Sequence, residues 1–430
     1  MQVNRDRTTL LDLAIVLSDV MDMISPLVHN HQKRAAYIAM RLGEEYGLKA
    51  DQVTELVLAG LLHDIGAFSL RDRLDTLDFE FDDPHRHARL GYQLIKGFSG
   101  LSRVALIILY HHLPWQTQGY EEPDGRQVLI QSHILHLADR VSILMDEEKD
   151  ILDQVIPIVD VVMSRMGTTF MPSLSKPLMS LALRESFWLN AASPFLEARL
   201  RERLDGHLPV LQPEDLSDLS TLLSRIIDYR SHYTATHSCG VAATAEALAR
   251  TMDLPEETCR LMRIAGHLHD MGKLAVPSEI IEKPARLSAE EYGIVMDHPR
   301  RAARILNALP DLGEASQWVA QHHERLDGSG YPNHSGGMDI SLGSRILAVA
   351  DVFTAVTEDR PYRKAMTRDM PLRFLMDLAD SQQLDPEVMS VMESRFDDLN
   401  DLRRNIQEAA CTRYDEMIRP FAEPRSESEQ

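Results

Sequence analysis

Apolar residues recur along this chain mostly at spacings of three and four. Ile346, Val349, Ala350 and Phe353 follow the i, i+3, i+4, i+7 rule of a helix that buries one face. Ser288-Ala289-Glu290-Glu291 has the order of a capping box, in which the Ser and Glu side chains satisfy first-turn backbone N–H groups, and it predicts a helix opening there. Pro255 suits the first turn of the helix leading to His269, where a missing N–H costs nothing. No run alternates long enough to predict a half-buried strand, so the chain reads as helical throughout. The longest apolar run, residues 104–110, has the length of a buried segment and falls well short of the roughly 20 residues that cross a bilayer. Asp12, Asp19 and Asp22 interrupt the apolar pattern near the N-terminus, which excludes a signal peptide. The polar residues 421–430 predict a frayed end.

The helical pattern occurs twice. Ala59-Gly60-Leu61-Leu62-His63-Asp64-Ile65-Gly66 is echoed by Ala265-Gly266-His267-Leu268-His269-Asp270-Met271-Gly272, an offset of 206 that also carries His31 to His237. An offset of 211 carries His87 to His298 and His111-His112 to His322-His323. An offset of 212 carries Asp139 to Asp351. Seven residues of metal-ligand type thus recur in one order with nearly one spacing, and the drift fits a loop insertion. Two copies of one domain, each about 205 residues long, account for this. Gly206 and Pro213 place the junction between residues 205 and 213. The expected boundaries are 1–205, 212–400, and 401–430 for a C-terminal helix and polar tail.

Taken singly, a histidine on an apolar helix is an ordinary core residue and a helical aspartate an ordinary surface group. Recurrence changes that. In the C-terminal copy His237, His269, Asp270, His298, His322, His323 and Asp351 offer five imidazoles and two carboxylates, a donor set for a borderline transition metal such as iron, manganese or zinc. They exceed the needs of one catalytic zinc. Two ions sharing a carboxylate would use them fully, and Asp270 is the natural bridge. His232, His267 and His334 have no partner in the other copy and are not assigned to the metal.

Composition narrows the class. The formal net charge of −21 argues against binding a nucleic-acid polymer, while leaving room for a small anion held by a few local cations. Cys239, Cys259 and Cys411 are too few and too scattered for a disulfide framework, so the expected setting is the reducing cytoplasm, without membrane insertion.

His269-Asp270-Met271-Gly272-Lys273, then His322-His323-Glu324-Arg325-Leu326-Asp327-Gly328-Ser329-Gly330-Tyr331-Pro332, resembles the HD-GYP phosphodiesterase family. Ala350-Asp351-Val352-Phe353 and Asp359-Arg360-Pro361-Tyr362-Arg363-Lys364-Ala365 extend the match, which covers roughly residues 216–399. The His-His-Glu to Gly-Tyr-Pro segment is highly specific; a bare His-Asp pair is not. The resemblance implies an all-α chain of two tandem HD-type helical bundles, the second catalytic. It implies hydrolysis of cyclic di-GMP or a related cyclic dinucleotide to the linear form, by attack on phosphorus of a hydroxide bridging two metals. On it, His237, His269, Asp270 and Asp351 hold one ion and His298, His322 and His323 the other, with Asp270 bridging. Lys273 contacts the scissile phosphate, Arg360 and Arg363 bind substrate phosphates, and Tyr331 borders the site. Iron or manganese is the metal implied. Two ions rather than three are expected, because Tyr233 stands where three-metal members carry a glutamate. Gly240 replaces an arginine common in the family.

The N-terminal copy keeps His31, His63, Asp64, His87, His111, His112 and Asp139, a second candidate metal site. Other positions are eroded: Lys273 maps onto Ala67, Arg360 onto Glu148, and Pro332 onto Glu121, although Gly119-Tyr120 persists. This predicts a metal-binding but weakly active or inactive copy that stabilises, senses, or mediates a homodimer. Alternatives to cyclic di-GMP hydrolysis are a 3'3'-cyclic GMP-AMP phosphodiesterase, a His-Asp hydrolase of nucleoside phosphates or guanosine polyphosphates, and a non-catalytic cyclic-dinucleotide receptor or scaffold.

Overall fold

The computed structural model describes residues 7–24, 29–67, 85–117, 128–204, 208–230, 236–281, 283, 285–358 and 369–418. Among these residues there is no strand, only two isolated bridges, and the secondary structure is helical. None of these helices is long and apolar enough to cross a membrane. The chain divides into two compact units, one of Thr9–Val210 and one of Leu211–Gln430 together with Met1–Thr8.

The duplication extends to the packing. In the C-terminal unit the His237–Thr251 helix packs on Glu256–Leu268 and Leu342–Thr357, and His298–Leu306 packs on Gly313–Gln321. In the N-terminal unit His31–Tyr46 packs on Ala50–Leu62 and Ile130–Leu144, and His85–Ile95 on Ser102–Leu109. Matched glycines allow the matched contacts. A Cβ on Gly266 would lie 2.4 Å from the Ala242 Cα, and one on Gly60 would lie 2.5 Å from the Ala36 Cα. Only a hydrogen fits where each pair of helices crosses.

The local signals act as the sequence suggests. Ser288 accepts from the Glu291 N–H while the Glu291 side chain accepts from the Ser288 N–H, and the helix starts at Ala289. Ile346, Val349, Ala350 and Phe353 are fully buried, each such large side chain stabilising the fold by roughly 1.5–3 kcal/mol. Pro255 sits one residue earlier than expected, as the cap before Glu256. The C-terminal helix runs Phe396–Ile418, starting five residues before the expected 401, and packs along His237–Thr251.

Candidate metal centre

Helix ends deliver the candidate ligands. His237 and His298 open their helices, His269 and His322 cap the C-terminal ends of theirs, and Asp351 lies inside Leu342–Thr357. His237, His269, Asp270, His298, His322 and Asp351 are buried and His323 is half-buried. The His237 Nε2 lies 3.1 Å from the Asp351 Oδ1, and the His269 Nε2 is 3.9 Å from the same oxygen. Asp270 directs its oxygens apart: Oδ2 lies 3.4 Å from the His269 Nε2 and Oδ1 3.3 Å from the His298 Nε2. The His323 Nδ1 is 3.8 Å from the Asp351 Oδ2.

The tautomers follow from the backbone. Nδ1 of His269, His298 and His322 donates to the carbonyls of Gly266, Val295 and Val319 at 2.8, 2.7 and 2.7 Å. A carbonyl only accepts, so Nδ1 carries the proton and the Nε2 lone pair points inward, the arrangement of a metal-ligating histidine. Nε2 of His298 and of His322 consequently face each other 3.4 Å apart. Two neutral acceptors so placed repel unless a cation lies beside them. Asp270, His298, His322 and His323 offer four ligand atoms within 4.8 Å of one another, and His237, His269 and Asp270 offer three. The Asp270 Oδ1 is buried without a hydrogen-bond partner. The donor set therefore fits transition-metal ions.

Charge at the site is strongly biased. Burial opposes ionisation of Asp270 but is outweighed by His269 and Lys273, which hold the carboxyl well below its usual range. Burial likewise opposes ionisation of Asp351, and His237 and His269 overcome it. Burial, then His269 and His298, push His322 down to about 3, and burial, then His322, push His323 well down. Lys273 reaches the Asp270 Oδ2 at 2.6 Å and is half-buried. Tyr331, whose bond to Pro332 is cis, sets its ring 4.8 Å from that of His323, and burial pushes its phenol up. Arg360 and Arg363 lie outside the described residues, as do Tyr233 and the Gly119-Tyr120-Glu121 stretch.

Sequence reasoning missed Glu358. It is buried, and its Oε2 lies 3.1 Å from the His237 Nδ1 while accepting from the Gln407 Nε2 at 3.2 Å. Gln407, on the C-terminal helix, also donates to the Thr236 carbonyl at 3.1 Å. A carboxylate behind a histidine fixes the ring and raises its basicity. The signal was the seven-residue step from Asp351, two helical turns on one face. Glu358→Gln should weaken metal binding about 10–100-fold while leaving the fold intact. Metal titration of the stripped protein checks this, and unchanged affinity would dismiss the orienting role.

Burial lowers the His237 pKa, but Glu358 and Asp351 outweigh it and raise it to about 10. In the metal-free protein this raised pKa contributes stability that is full below 6.5 and lost as pH climbs through about 10. Metal at Nε2 must displace that proton, so affinity should rise roughly tenfold per pH unit over neutral pH. Calorimetry in buffers of different ionisation heat should count about one proton released per His237-bound ion at pH 7.5; release of none would refute it.

The N-terminal cluster repeats this geometry. The His31 Nε2 lies 3.1 Å from the Asp139 Oδ1, the His63 Nε2 3.5 Å from both the Asp64 Oδ2 and the Asp139 Oδ1, and the His87 Nε2 3.5 Å from the Asp64 Oδ1. The His112 Nε2 faces the His87 Nε2 at 3.1 Å. Nδ1 of His63 and of His111 donates to the Gly60 and Ile108 carbonyls. Nε2 of His31, His63 and His111, and the Asp139 Oδ1, are buried without a hydrogen bond of acceptable geometry. All seven side chains are buried.

Helix ends that turn imidazoles and carboxylates into a shared buried space define, as a class, a metal-dependent hydrolase built on the HD domain. Residues 28–144 and 221–388 each match the HD domain. The chain is 30% identical over 378 residues to a 3'3'-cGAMP-specific phosphodiesterase of Vibrio cholerae, spanning 84% of this chain and 86% of that protein. It is 37% identical over 206 residues to a cyclic di-GMP phosphodiesterase of Pseudomonas aeruginosa, spanning 46% and 49%. The crystal structure of a cyclic GMP-AMP specific phosphodiesterase of Vibrio cholerae shares the fold, with a TM-score of 0.61 at 22% identity over 91% of this chain and 98% of that one. The chain belongs to the HD-type cyclic dinucleotide phosphodiesterases and carries two copies of the HD domain.

Proposed function

We propose that the C-terminal centre opens a guanine-containing cyclic dinucleotide, cyclic di-GMP in the first reading, by hydrolysing one phosphodiester. The supporting observation is Asp270, whose two oxygens face histidines of separate groups, as a bridge between two ions requires. His237, His269 and Asp351 complete one ligand group, and His298, His322 and His323 the other. Five imidazoles with two carboxylates suit iron or manganese. When bound, such ions supply charge to the phosphoryl oxygens and a water acidic enough to lose its proton near neutral pH.

The chain's own groups do the rest. Histidines with committed Nδ1 protons hold their ligand atoms in place before substrate arrives. Lys273, anchored on Asp270, supplies an ammonium for the charge that builds on the phosphoryl oxygens in the transition state. Tyr331 walls one side of His323. Arg360 and Arg363, from the Arg-Pro-Tyr-Arg motif, clamp the substrate phosphates.

A second reading, 3'3'-cyclic GMP-AMP, is favoured by the Vibrio cholerae relative that matches along both HD copies. Product analysis of iron- or manganese-loaded protein, given each cyclic dinucleotide in turn, decides between them. Binding of either without a linear product would replace catalysis by a receptor role.

A further inference from the structure

The C-terminal helix buries polar residues and exposes apolar ones. Along Phe396–Ile418 the positions turned inward after Leu399 are Arg403 and Gln407, 6% and 7% exposed, while Leu402 and Ile406 stand in solvent at 37% and 36%. Packing for stability alone would place them the other way round, because burying a guanidinium or an amide costs free energy unless hydrogen bonds replace those to water. The bonds are present, and they lead to the metal centre. The Arg403 guanidinium donates to the Gln407 Oε1 and, at 2.9 Å, to the Asn400 Oδ1. A guanidinium only donates, so the amide oxygen of Gln407 faces Arg403 and its NH2 faces away. That NH2 has two hydrogens and meets two acceptors, the Glu358 Oε2 at 3.2 Å and the Thr236 carbonyl at 3.1 Å. Glu358 stands behind the His237 ring. The Thr236 carbonyl also accepts from the Gly240 N–H at 3.1 Å, closing the first turn of the helix that His237 opens.

Gly240 makes the room for this amide. A Cβ there would lie 2.9 Å from the Gln407 Nε2 and 3.1 Å from its Cδ. The offset of 206 carries Gly240 onto Arg34, so the N-terminal copy keeps an arginine where the C-terminal copy has none. In that copy Arg34 is buried and donates to Glu147, and the His31 Nδ1 meets the Ser142 hydroxyl at 3.1 Å. We infer that Gln407, held by Arg403, is a positioning residue for the metal centre: it enters the notch left by Gly240 and fixes the His237 ring for its ion through Glu358 and Thr236. The inference rests on the metal-binding reading of the C-terminal centre. One amide controls two things at once. Its bond to Glu358 sets the carboxylate that orients the ring, and its bond to Thr236 sets the backbone from which the ring projects. A ligand held in its bound geometry beforehand loses less freedom when the ion arrives, and partners of this kind are worth about 10–100-fold in metal affinity. The glycine, the amide and the guanidinium therefore act as one device, and the terminal helix is part of the centre although none of its side chains is a ligand.

Titration of the full chain with Mn²⁺, after stripping with chelator, tests this. Gln407→Met keeps the length of the side chain and removes both donors, and it should weaken the ion bound through His237 about 10-fold or more. Gly240→Ala leaves every side chain of the terminal helix in place and crowds the amide, and it should weaken that ion to a similar degree. Coupling is the signature: in a Gln407→Ala protein, where the amide is gone, Gly240→Ala should cost no further affinity. Ile406→Ala, on the exposed side of the same helix, should bind as wild type does. A folded Gln407→Met protein with wild-type affinity, and only a lowered melting temperature, would reduce Gln407 to packing and overturn the inference. Losses in Gly240→Ala and Gln407→Ala that add in full would do the same, as would an equal loss in Ile406→Ala. If Gln407→Met does not fold by circular dichroism, the Gly240→Ala titration decides. Asp270→Ala, titrated alongside, probes the parent reading: it should lose the C-terminal ions, and wild-type uptake there would strike the metal centre itself and the role of Gln407 with it.

Discussion

Replacing Asp270 with alanine should abolish turnover and empty the C-terminal centre in one step. Asp270 is the carboxylate whose Oδ2 meets His269 and whose Oδ1 meets His298, so its loss removes a ligand from each group at once. It also leaves Lys273 without the anion it binds. A fall of about four orders of magnitude in kcat/KM is expected, about 5.5 kcal/mol of transition-state stabilisation. Rates and metal content measured on one sample check it. A folded variant with near-normal rates would end the bimetallic account.

The second large effect is steric. A Cβ on Gly272 would lie 1.9 Å from the His298 carbonyl oxygen and 2.7 Å from its carbonyl carbon, both backbone atoms. No rotamer change relieves such a clash; the Met271–Ala275 turn or the helix opening at His298 must move. Gly272→Ala should therefore cost about 3 kcal/mol or more, at or beyond the upper end of ordinary overpacking. Displacing His298 by about 1 Å should lower turnover on the order of 100-fold. Gly66 repeats the constraint in the N-terminal unit, with a Cβ 2.1 Å from the His87 carbonyl oxygen. Gly293 is the control, since nothing lies within 4 Å of its added Cβ. Gly293→Ala should be neutral or stabilising by up to roughly 1 kcal/mol, as helical glycines are. Melting temperatures of Gly272→Ala and Gly293→Ala, with turnover, separate local crowding from a general effect of losing glycine; equal melting temperatures would refute the steric argument.

The duplicated helical fold was legible because a repeat writes its contacts twice. Gly60 and Gly266, or Gly66 and Gly272, look like minor coincidences until the offset aligns them, and each pair turns out to sit where two backbones touch. That offset and the nearby 211 and 212 grouped the imidazoles and carboxylates, since residues far apart in a chain recur together only under a shared geometric demand. Glu358 escaped that logic because it is what the copies do not share. It acts through a neighbour, His237, and a difference between copies reads in a sequence as erosion rather than as chemistry. Arg360 and Arg363 rest on motif resemblance alone, with no contact in the described residues to place them.

The His237–Asp351 contact joins residues 114 positions apart in the chain, and the Asp270–His298 contact adds a third helix. An ion gripping these side chains is a reversible cross-link over long loops, absent from the unfolded chain. Occupancy and folding are then one equilibrium: a free metal concentration one hundred times the dissociation constant adds about 2.7 kcal/mol of stability. Cells short of that metal would hold a looser protein, more open to proteolysis, so the supply of the ion sets the lifetime of the chain as well as its rate.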